Sequence, residues 1–161
     1  MKRVALFLIA VAASWSVFAQ SNDIPAVTLK DLNGKAYHLS NNCAKKLVVI
    51  TFWATWCSPC LKELSALSEV YDDWRSETGV EIIAVSVDDS RTVKRVKPLV
   101  NGKSWDFTIL LDENQELKRK MNVSQPPHLF IVYKGKIVYQ HNGYTPGAEK
   151  KLYQELKKNA L

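Results

Sequence analysis

The 161-residue chain is poor in cysteine and histidine, with three of each, and holds only six glycines and six prolines. Three cysteines are too few for a small fold stapled by disulfides, so a hydrophobic core must hold the chain together. No internal repeat, low-complexity tract or linker divides it. With 47% hydrophobic and 24% charged residues, it has the composition of one globular domain.

A concentrated run of basic residues is also missing. The formal net charge is +6, but the basic residues are scattered in short groups at 45–46, 118–120, 150–151 and 157–158. Scattered groups of this kind are typical of solvated helix faces, and we do not expect a nucleic-acid partner.

No apolar run reaches the ~20 residues that a membrane-spanning helix needs. The run from Val4 to Phe18 is 15 residues long, follows Lys2 and Arg3, and precedes Ala19. This pattern predicts a secretory signal peptide over residues 1–19 and one domain over residues 20–161. The alternative is that the segment stays as a membrane anchor. Either way we expect the domain in the periplasm or another extracytoplasmic space, where disulfides persist.

One stretch organises the rest of the chain. The apolar run from Val48 to Trp53 predicts a strand that is buried on both faces. Cys57 and Cys60 follow it and open an amphipathic helix, in which Pro59 suits the first turn. Partial positive charge at the helix N-terminus would stabilise the Cys57 thiolate, and Cys60 is placed to attack a mixed disulfide on Cys57. The alternatives are a structural disulfide or half of a zinc site. A zinc site would need two further ligands, and neither Cys43 nor any histidine has zinc-like spacing.

The segment Trp53 to Cys60, WATWCSPC, resembles the active-site signature of the thioredoxin superfamily. With Glu63 behind it, the segment is similar to the TlpA/ResA-like branch of extracytoplasmic thiol–disulfide oxidoreductases. The resemblance implies an α/β, thioredoxin-like fold with a mixed central sheet flanked by helices, an N-terminal β-hairpin and a central helical insertion. It also implies that Cys57 and Cys60 form a redox-active disulfide.

The remaining pattern agrees with that fold. Asn33-Gly34 predicts a hairpin turn between strands near Val27–Leu29 and Ala36–Leu39. The helix that starts near Cys57 is expected to end at Gly79, and Cys43 stands in a turn-like setting. The other predicted strands are 80–87, 105–111, 129–133 and 137–141, and the other predicted helices are 91–99, 113–121 and 148–159.

Glu63 is the anomaly of the active-site helix. At ~100° per residue it falls within an apolar stripe, which is formed by Cys60, Leu64, Leu67, Val70, Tyr71 and Trp74. A buried carboxylate without a partner is costly, so Glu63 is predicted to carry a proton for Cys60, with its pKa raised by desolvation. The TlpA/ResA-like branch places its acid here, while Thr51 stands where cytoplasmic thioredoxins carry a buried aspartate. The alternative is that Glu63 reaches solvent.

Pro127 aligns with the cis-proline that faces the cysteine pair in the thioredoxin pattern, where it keeps metals off the cysteines and shapes the substrate groove. Pro126 stands where most relatives offer a backbone N–H, and His128 replaces a usual threonine. We predict that these residues and Trp56 bind substrate. His128 could equally be a proton carrier, a metal ligand or a surface histidine without a role.

The sequence therefore predicts an enzyme that reduces or isomerises protein disulfides, as a monomer and without a metal or other cofactor. The resemblance implies a membrane thiol electron donor of the CcdA/DsbD type and, among substrates, apocytochrome c. The alternative is a Sco-like copper chaperone on the same fold, with the cysteines and His128 as ligands. Sco-like proteins separate their cysteines by three residues rather than two, and Pro127 should obstruct a metal.

Overall fold

A computed structural model describes residues 22–160, and these form one seven-stranded sheet with helices on its faces. The strand order is β2-β1-β5-β4-β3-β6-β7. The strands are β1 Thr28–Asp31, β2 Ala36–His38, β3 Leu47–Trp53, β4 Glu81–Ser86, β5 Thr108–Leu111, β6 His128–Tyr133 and β7 Lys136–Asn142. The helices are α1 Leu39–Cys43, α2 Ser58–Thr78, α3 Val96–Lys103, α4 Glu116–Lys120 and α5 Ala148–Ala160.

Strand β3 is the centre of the sheet because every one of its seven residues is buried. It pairs in parallel with β4, which the long crossover helix α2 connects to it, and antiparallel with β6. A strand that is apolar on both faces needs cover on both sides, which explains its central position. The sheet is mixed, as predicted.

The two faces of the sheet carry different residues near the end of β3. Thr51 pairs with Leu129 of β6, and both belong to the face against which α2 packs. Helix α5 lies beside α2 on this side, where Tyr153 stacks on Trp74 at 5.3 Å. Phe52 pairs with His128 and therefore belongs to the opposite face.

The order of strands and helices is that of a thioredoxin-like fold, which confirms the predicted fold class. The N-terminal hairpin is present, with Gly34 at φ +81° in its turn. Its strand β1 pairs antiparallel with β5, so the hairpin extends the sheet at one edge. At the other edge, the Ile137 N–H donates to the Asn22 carbonyl at 2.7 Å.

Helix α3 differs from its prediction. We expected a helix over 91–99 that Asn101-Gly102 would break, but α3 runs from Val96 to Lys103 after a short 3₁₀ turn at Val93–Arg95. Pro98 therefore lies in the first turn, where its missing N–H is not needed. The helix ends at Ser104, which adopts a left-handed conformation with φ +53°.

Two further local predictions were wrong. Helix α4 spans only Glu116–Lys120 rather than 113–121, since the Asp112 carboxylate accepts hydrogen bonds from the Leu117 and Lys118 N–H groups and sets its start. Cys43 does not lie in a turn. It is the last residue of α1 and is completely buried.

The predicted signal peptide, residues 1–19, lies outside the described residues. Within residues 22–160, no helix combines the length and the apolar character that crossing a membrane requires.

Candidate active site

The two cysteines lie where β3 meets α2. Cys57 is the N-cap of α2, and its N–H donates to the Ala54 carbonyl at 3.0 Å. Its own carbonyl accepts the Leu61 N–H at 3.1 Å, which starts the helix. Pro59 fits the first turn because the N–H groups there have no partner inside the helix. Cys57 and Cys60 are joined by a disulfide with a Cα–Cα distance of 5.3 Å.

The two halves of the disulfide differ in accessibility. Cys57 is 6% exposed, whereas Cys60 is completely buried. Trp56, beside Cys57, is 59% exposed, which is unusual for so large an apolar side chain. Of the two cysteines, only Cys57 therefore keeps some exposed surface, and it does so beside an exposed aromatic ring.

Glu63 is buried one turn after Cys60, as the helical pattern predicted, with 4% of its surface exposed. The Thr51 hydroxyl donates a hydrogen bond to Glu63 Oε2 at 2.7 Å. Burial raises the pKa of Glu63 to about 7, and the Thr51 hydrogen bond opposes this rise. Glu63 can therefore hold or release a proton near neutral pH, which is what a proton carrier requires.

Asp88 is a second buried acid at the site, and we did not predict a role for it. Its carboxylate accepts hydrogen bonds from the Thr55 N–H at 2.9 Å, the Thr55 hydroxyl at 2.6 Å and the Ser86 hydroxyl at 2.8 Å. These hydrogen bonds therefore hold in place the loop that leads to Cys57. One signal in the sequence could have revealed it: β3 and β4 are parallel neighbours, so the residues that follow them meet at one edge of the sheet.

The proline loop contains the predicted cis peptide bond, between Pro126 and Pro127. Pro127 is buried and Pro126 is half-buried. The Pro127 carbonyl accepts the Gly143 N–H at 2.9 Å, which ties this loop to the segment after β7. Pro126 has no N–H to offer to an extended peptide.

His128 belongs to the face of the sheet opposite Glu63. Its ring stacks on Phe130, with centroids 4.6 Å apart, and burial lowers its pKa. His128 lines a groove together with Lys120 and Asn122 from the end of α4 and with Asn22. Within residues 22–160, no group of three or more His, Cys, Asp or Glu side chains could hold a metal ion.

A Cys-x-x-Cys disulfide that opens the helix after the central strand of a thioredoxin-like sheet is typical of thiol–disulfide oxidoreductases, and the chain is an enzyme of this class. It belongs to the AhpC/TSA family, whose model matches residues 21–141.

Relatives with known sequences or structures agree with this assignment. The thiol-disulfide oxidoreductase ResA of Bacillus subtilis is 34% identical over 130 residues, which cover 80% of this chain and 70% of ResA. An uncharacterized thioredoxin-like protein of Porphyromonas gingivalis is 46% identical, with a TM-score of 0.74 over 87% of this chain and 93% of that one. The thioredoxin domain of a Bacteroides vulgatus thiol-disulfide oxidoreductase is 26% identical, with a TM-score of 0.72 over 89% of this chain and 99% of that domain.

Proposed function

We propose that this enzyme reduces or isomerises disulfide bonds in other proteins, with Cys57 as the attacking thiol and Cys60 as the resolving thiol. The observation that carries the proposal is the asymmetry of the pair. Cys57 lies at a helix N-terminus and keeps 6% of its surface exposed, whereas Cys60 is completely buried one turn before a carboxyl group whose pKa is raised to about 7.

The reaction starts from the dithiol form. The Cys57 thiolate attacks one sulfur of the substrate disulfide, a Cys57–substrate bond forms, and the other substrate sulfur leaves as a thiolate. Cys60 then attacks the Cys57 sulfur and releases the second substrate thiolate. The substrate gains two electrons, and the enzyme ends as the Cys57–Cys60 disulfide that the structure contains.

Glu63 supports the second step. A buried cysteine thiol is a weak nucleophile, because an apolar environment disfavours its thiolate. An ionised Glu63 can take the Cys60 proton as Cys60 attacks, since it lies one turn further along α2. Both groups are buried near one another, so we expect their titrations to be coupled.

The substrate is expected to lie between Trp56 and the Pro126-Pro127 loop. The exposed Trp56 ring offers apolar contact beside the reactive sulfur. A peptide that docks in an extended conformation would lack one main-chain hydrogen bond at Pro126, worth ~0.5–1.5 kcal/mol. His128 lies on the face of the sheet opposite Glu63. A substrate peptide could contact His128 only if it extended around the end of strand β6 to that face.

The proposal extends to the cellular setting and is supported there by the sequence pattern of residues 1–19. We propose that residues 1–19 direct export, that residues 20–161 act in the periplasm or another extracytoplasmic space as a monomer without a cofactor, and that a membrane thiol donor of the CcdA/DsbD type returns the enzyme to the dithiol form. Apocytochrome c is one candidate substrate, because its haem-attachment thiols must be reduced before haem is bound.

Trapping of mixed disulfides tests the proposal. Cys60→Ala should accumulate Cys57-linked substrate proteins that separate on addition of reductant, and Cys57→Ala with Cys60→Ala should trap none. In parallel, the wild-type protein should reduce insulin in the presence of dithiothreitol, and Cys57→Ala should not. Insulin reduction by Cys57→Ala at the wild-type rate would contradict the proposal.

A further inference from the structure

Glu63 lines an open pocket of about 170 Å³ between α2, the sheet and α5, which we call the Glu63 pocket. Leu67 and Leu152, which are both buried, line it as well. Thr145 and Lys151 also belong to the lining, and both are exposed, so the pocket opens to solvent beside the start of α5. A water molecule takes up about 30 Å³ in the liquid, so the pocket has room for more than one.

The two oxygens of the Glu63 carboxyl group have different surroundings. Oε2 accepts the Thr51 hydroxyl at 2.7 Å. Among residues 22–160, no group donates a hydrogen bond to Oε1, yet Oε1 is not one of the buried polar atoms that lack a partner, so it keeps contact with solvent. The 4% of Glu63 that is exposed therefore includes a carboxyl oxygen. Since Glu63 lines the Glu63 pocket, water in the pocket can reach this oxygen.

The Glu63 pocket is separate from the surface at which the enzyme attacks its substrate. Among the described residues, neither Cys57 nor Cys60 belongs to its lining, and neither does Trp56 or Pro127. The substrate is expected to lie between Trp56 and the proline loop. A protein linked to Cys57 can therefore cover the cysteines and leave the mouth of the pocket open.

We propose that the Glu63 pocket is the route by which Glu63 exchanges its proton with solvent, and hence the route by which the proton taken from Cys60 leaves the enzyme. The second part of this inference rests on the proposed function. As Cys60 attacks the Cys57 sulfur, its thiol proton passes to the Glu63 carboxylate, which becomes a carboxylic acid. Water in the pocket then takes that proton and restores the carboxylate, so no proton has to cross the surface that the substrate covers.

Other polar and titratable groups surround this route. From α2 and β3, they are Cys60, one turn before Glu63, and Thr51, which donates to the carboxyl group. The remainder line the pocket and are Tyr139 and His141 of β7, Tyr144 of the following loop, and Glu149 and Lys151 of α5. Desolvation is the main cause of the raised pKa of Glu63, so loss of water from the pocket should raise that pKa further.

The test is ¹³C NMR of the Glu63 carboxyl carbon in the oxidised protein, where neither active-site cysteine ionises. Glu63→Gln identifies the resonance. Its shift against pH gives the midpoint, and its line width near the midpoint gives the rate of proton exchange. Ala148 lines the pocket at the first residue of α5, and Ala148→Phe should fill it without changing a charge.

Ala148→Phe should raise the midpoint by about one pH unit, a tenfold gain in proton affinity, because the ring displaces water. It should also slow proton exchange by more than about tenfold, which is more than the change in midpoint alone explains. Ala66→Phe is the matched control, because Ala66 lies within one turn of Glu63 on α2 but lines a different groove. Its midpoint should stay within about 0.2 unit of wild type.

Ala148→Leu covers the case in which Ala148→Phe does not fold, and we expect smaller changes in the same direction. An unchanged midpoint and exchange rate in the Ala148 variants, or equal changes in Ala66→Phe, would overturn the inference. So would a raised midpoint with no further slowing of exchange, because water would then hydrate Glu63 without removing its proton. The measurement does not depend on turnover. Slower exchange with an unchanged pH profile for release from Cys57 would support the route for the Glu63 proton and would count against the proton step of the proposed function.

Discussion

The two buried acids beside the active-site loop, Glu63 and Asp88, differ in how many hydrogen bonds they accept. Asp88 is 1% exposed and accepts three side-chain or loop hydrogen bonds from Thr55 and Ser86. Glu63 is 4% exposed and accepts one, from Thr51, while the rest of its surroundings includes a cavity.

This difference predicts different roles for the two acids, a structural one for Asp88 and a chemical one for Glu63. Donors around a carboxylate stabilise its charge and fix its position, so Asp88 anchors the loop that carries Cys57. With one donor, burial dominates at Glu63, and its pKa rises to about 7. The two acids have similar burial, so the number of donors is the difference between them that decides how firmly each carboxylate is held in place.

Removal of Asp88 should have the largest effect on stability. Asp88→Ala leaves the Thr55 N–H and the two hydroxyl groups without their acceptor, at ~1–3 kcal/mol for each buried group, so we expect a loss of about 4 kcal/mol in the free energy of unfolding. Urea denaturation of the oxidised protein measures it. Asp89→Ala is the control, because Asp89 pairs with Arg91 at the surface and its loss should be much smaller. Equal losses of stability in the two variants would show that Asp88 stabilises the fold no more than a surface acid does.

The pH dependence of stability should reveal Glu63. Its pKa of about 7 in the folded state exceeds the ordinary value of 4.5, so the folded state binds the proton more tightly. Its contribution is complete below pH 4.5 and is lost as the pH rises through 7. Relative to Glu63→Gln, the oxidised wild-type protein should lose about 3 kcal/mol across this range. Parallel stability curves for the two proteins would show that Glu63 is already charged when folded at pH 5.

Removal of the single donor to Glu63 should make the difference between the acids larger. Thr51→Val takes away the hydrogen bond that lowers the pKa of Glu63, so this pKa should rise by up to about one unit. A ¹³C titration of the Glu63 carboxyl group measures the change. Thr28→Val, on the exposed hairpin strand β1, serves as the control. A fall in the Glu63 pKa would mean that Thr51 does not stabilise the charged form.

Cys43 should give the smallest effect on activity. It is completely buried at the end of α1, near the start of β3, whereas the active site lies at the other end of that strand. Burial raises the pKa of its thiol to about 11, which makes it unreactive. Cys43→Ala should reduce insulin within about twofold of the wild-type rate. A rate lower by tenfold or more would add a third cysteine to the mechanism.

Local patterns in the sequence predicted much of this site. The apolar run of β3, the spacing of Cys57 and Cys60, and the helical position of Glu63 each depend on neighbours within a few turns of the chain. The contacts that distinguish the two acids do not. Asp88 meets Thr55 across 33 positions, and that contact depends on the parallel register in which Trp53 pairs with Ser86.

The wrong local predictions have the same origin. Asn101-Gly102 predicts a break, but α3 starts later than its pattern suggests and therefore contains both residues. Polar residues around Cys43 suggested a turn, yet packing against the core holds this residue in α1.

The most direct test of the central claim, that Glu63 takes the proton of Cys60, is the rate at which the Cys57 mixed disulfide is resolved at different pH values. A mixed disulfide with a small thiol can be formed on Cys57 and its release followed by stopped flow in wild type, Glu63→Gln and Asp88→Asn. We expect the wild-type rate to increase as the pH rises through the Glu63 pKa. Glu63→Gln should be slower by about 100-fold at pH 7 and should lack this dependence, whereas Asp88→Asn should retain it. Release from Glu63→Gln at the wild-type rate, with the same pH profile, would contradict the claim.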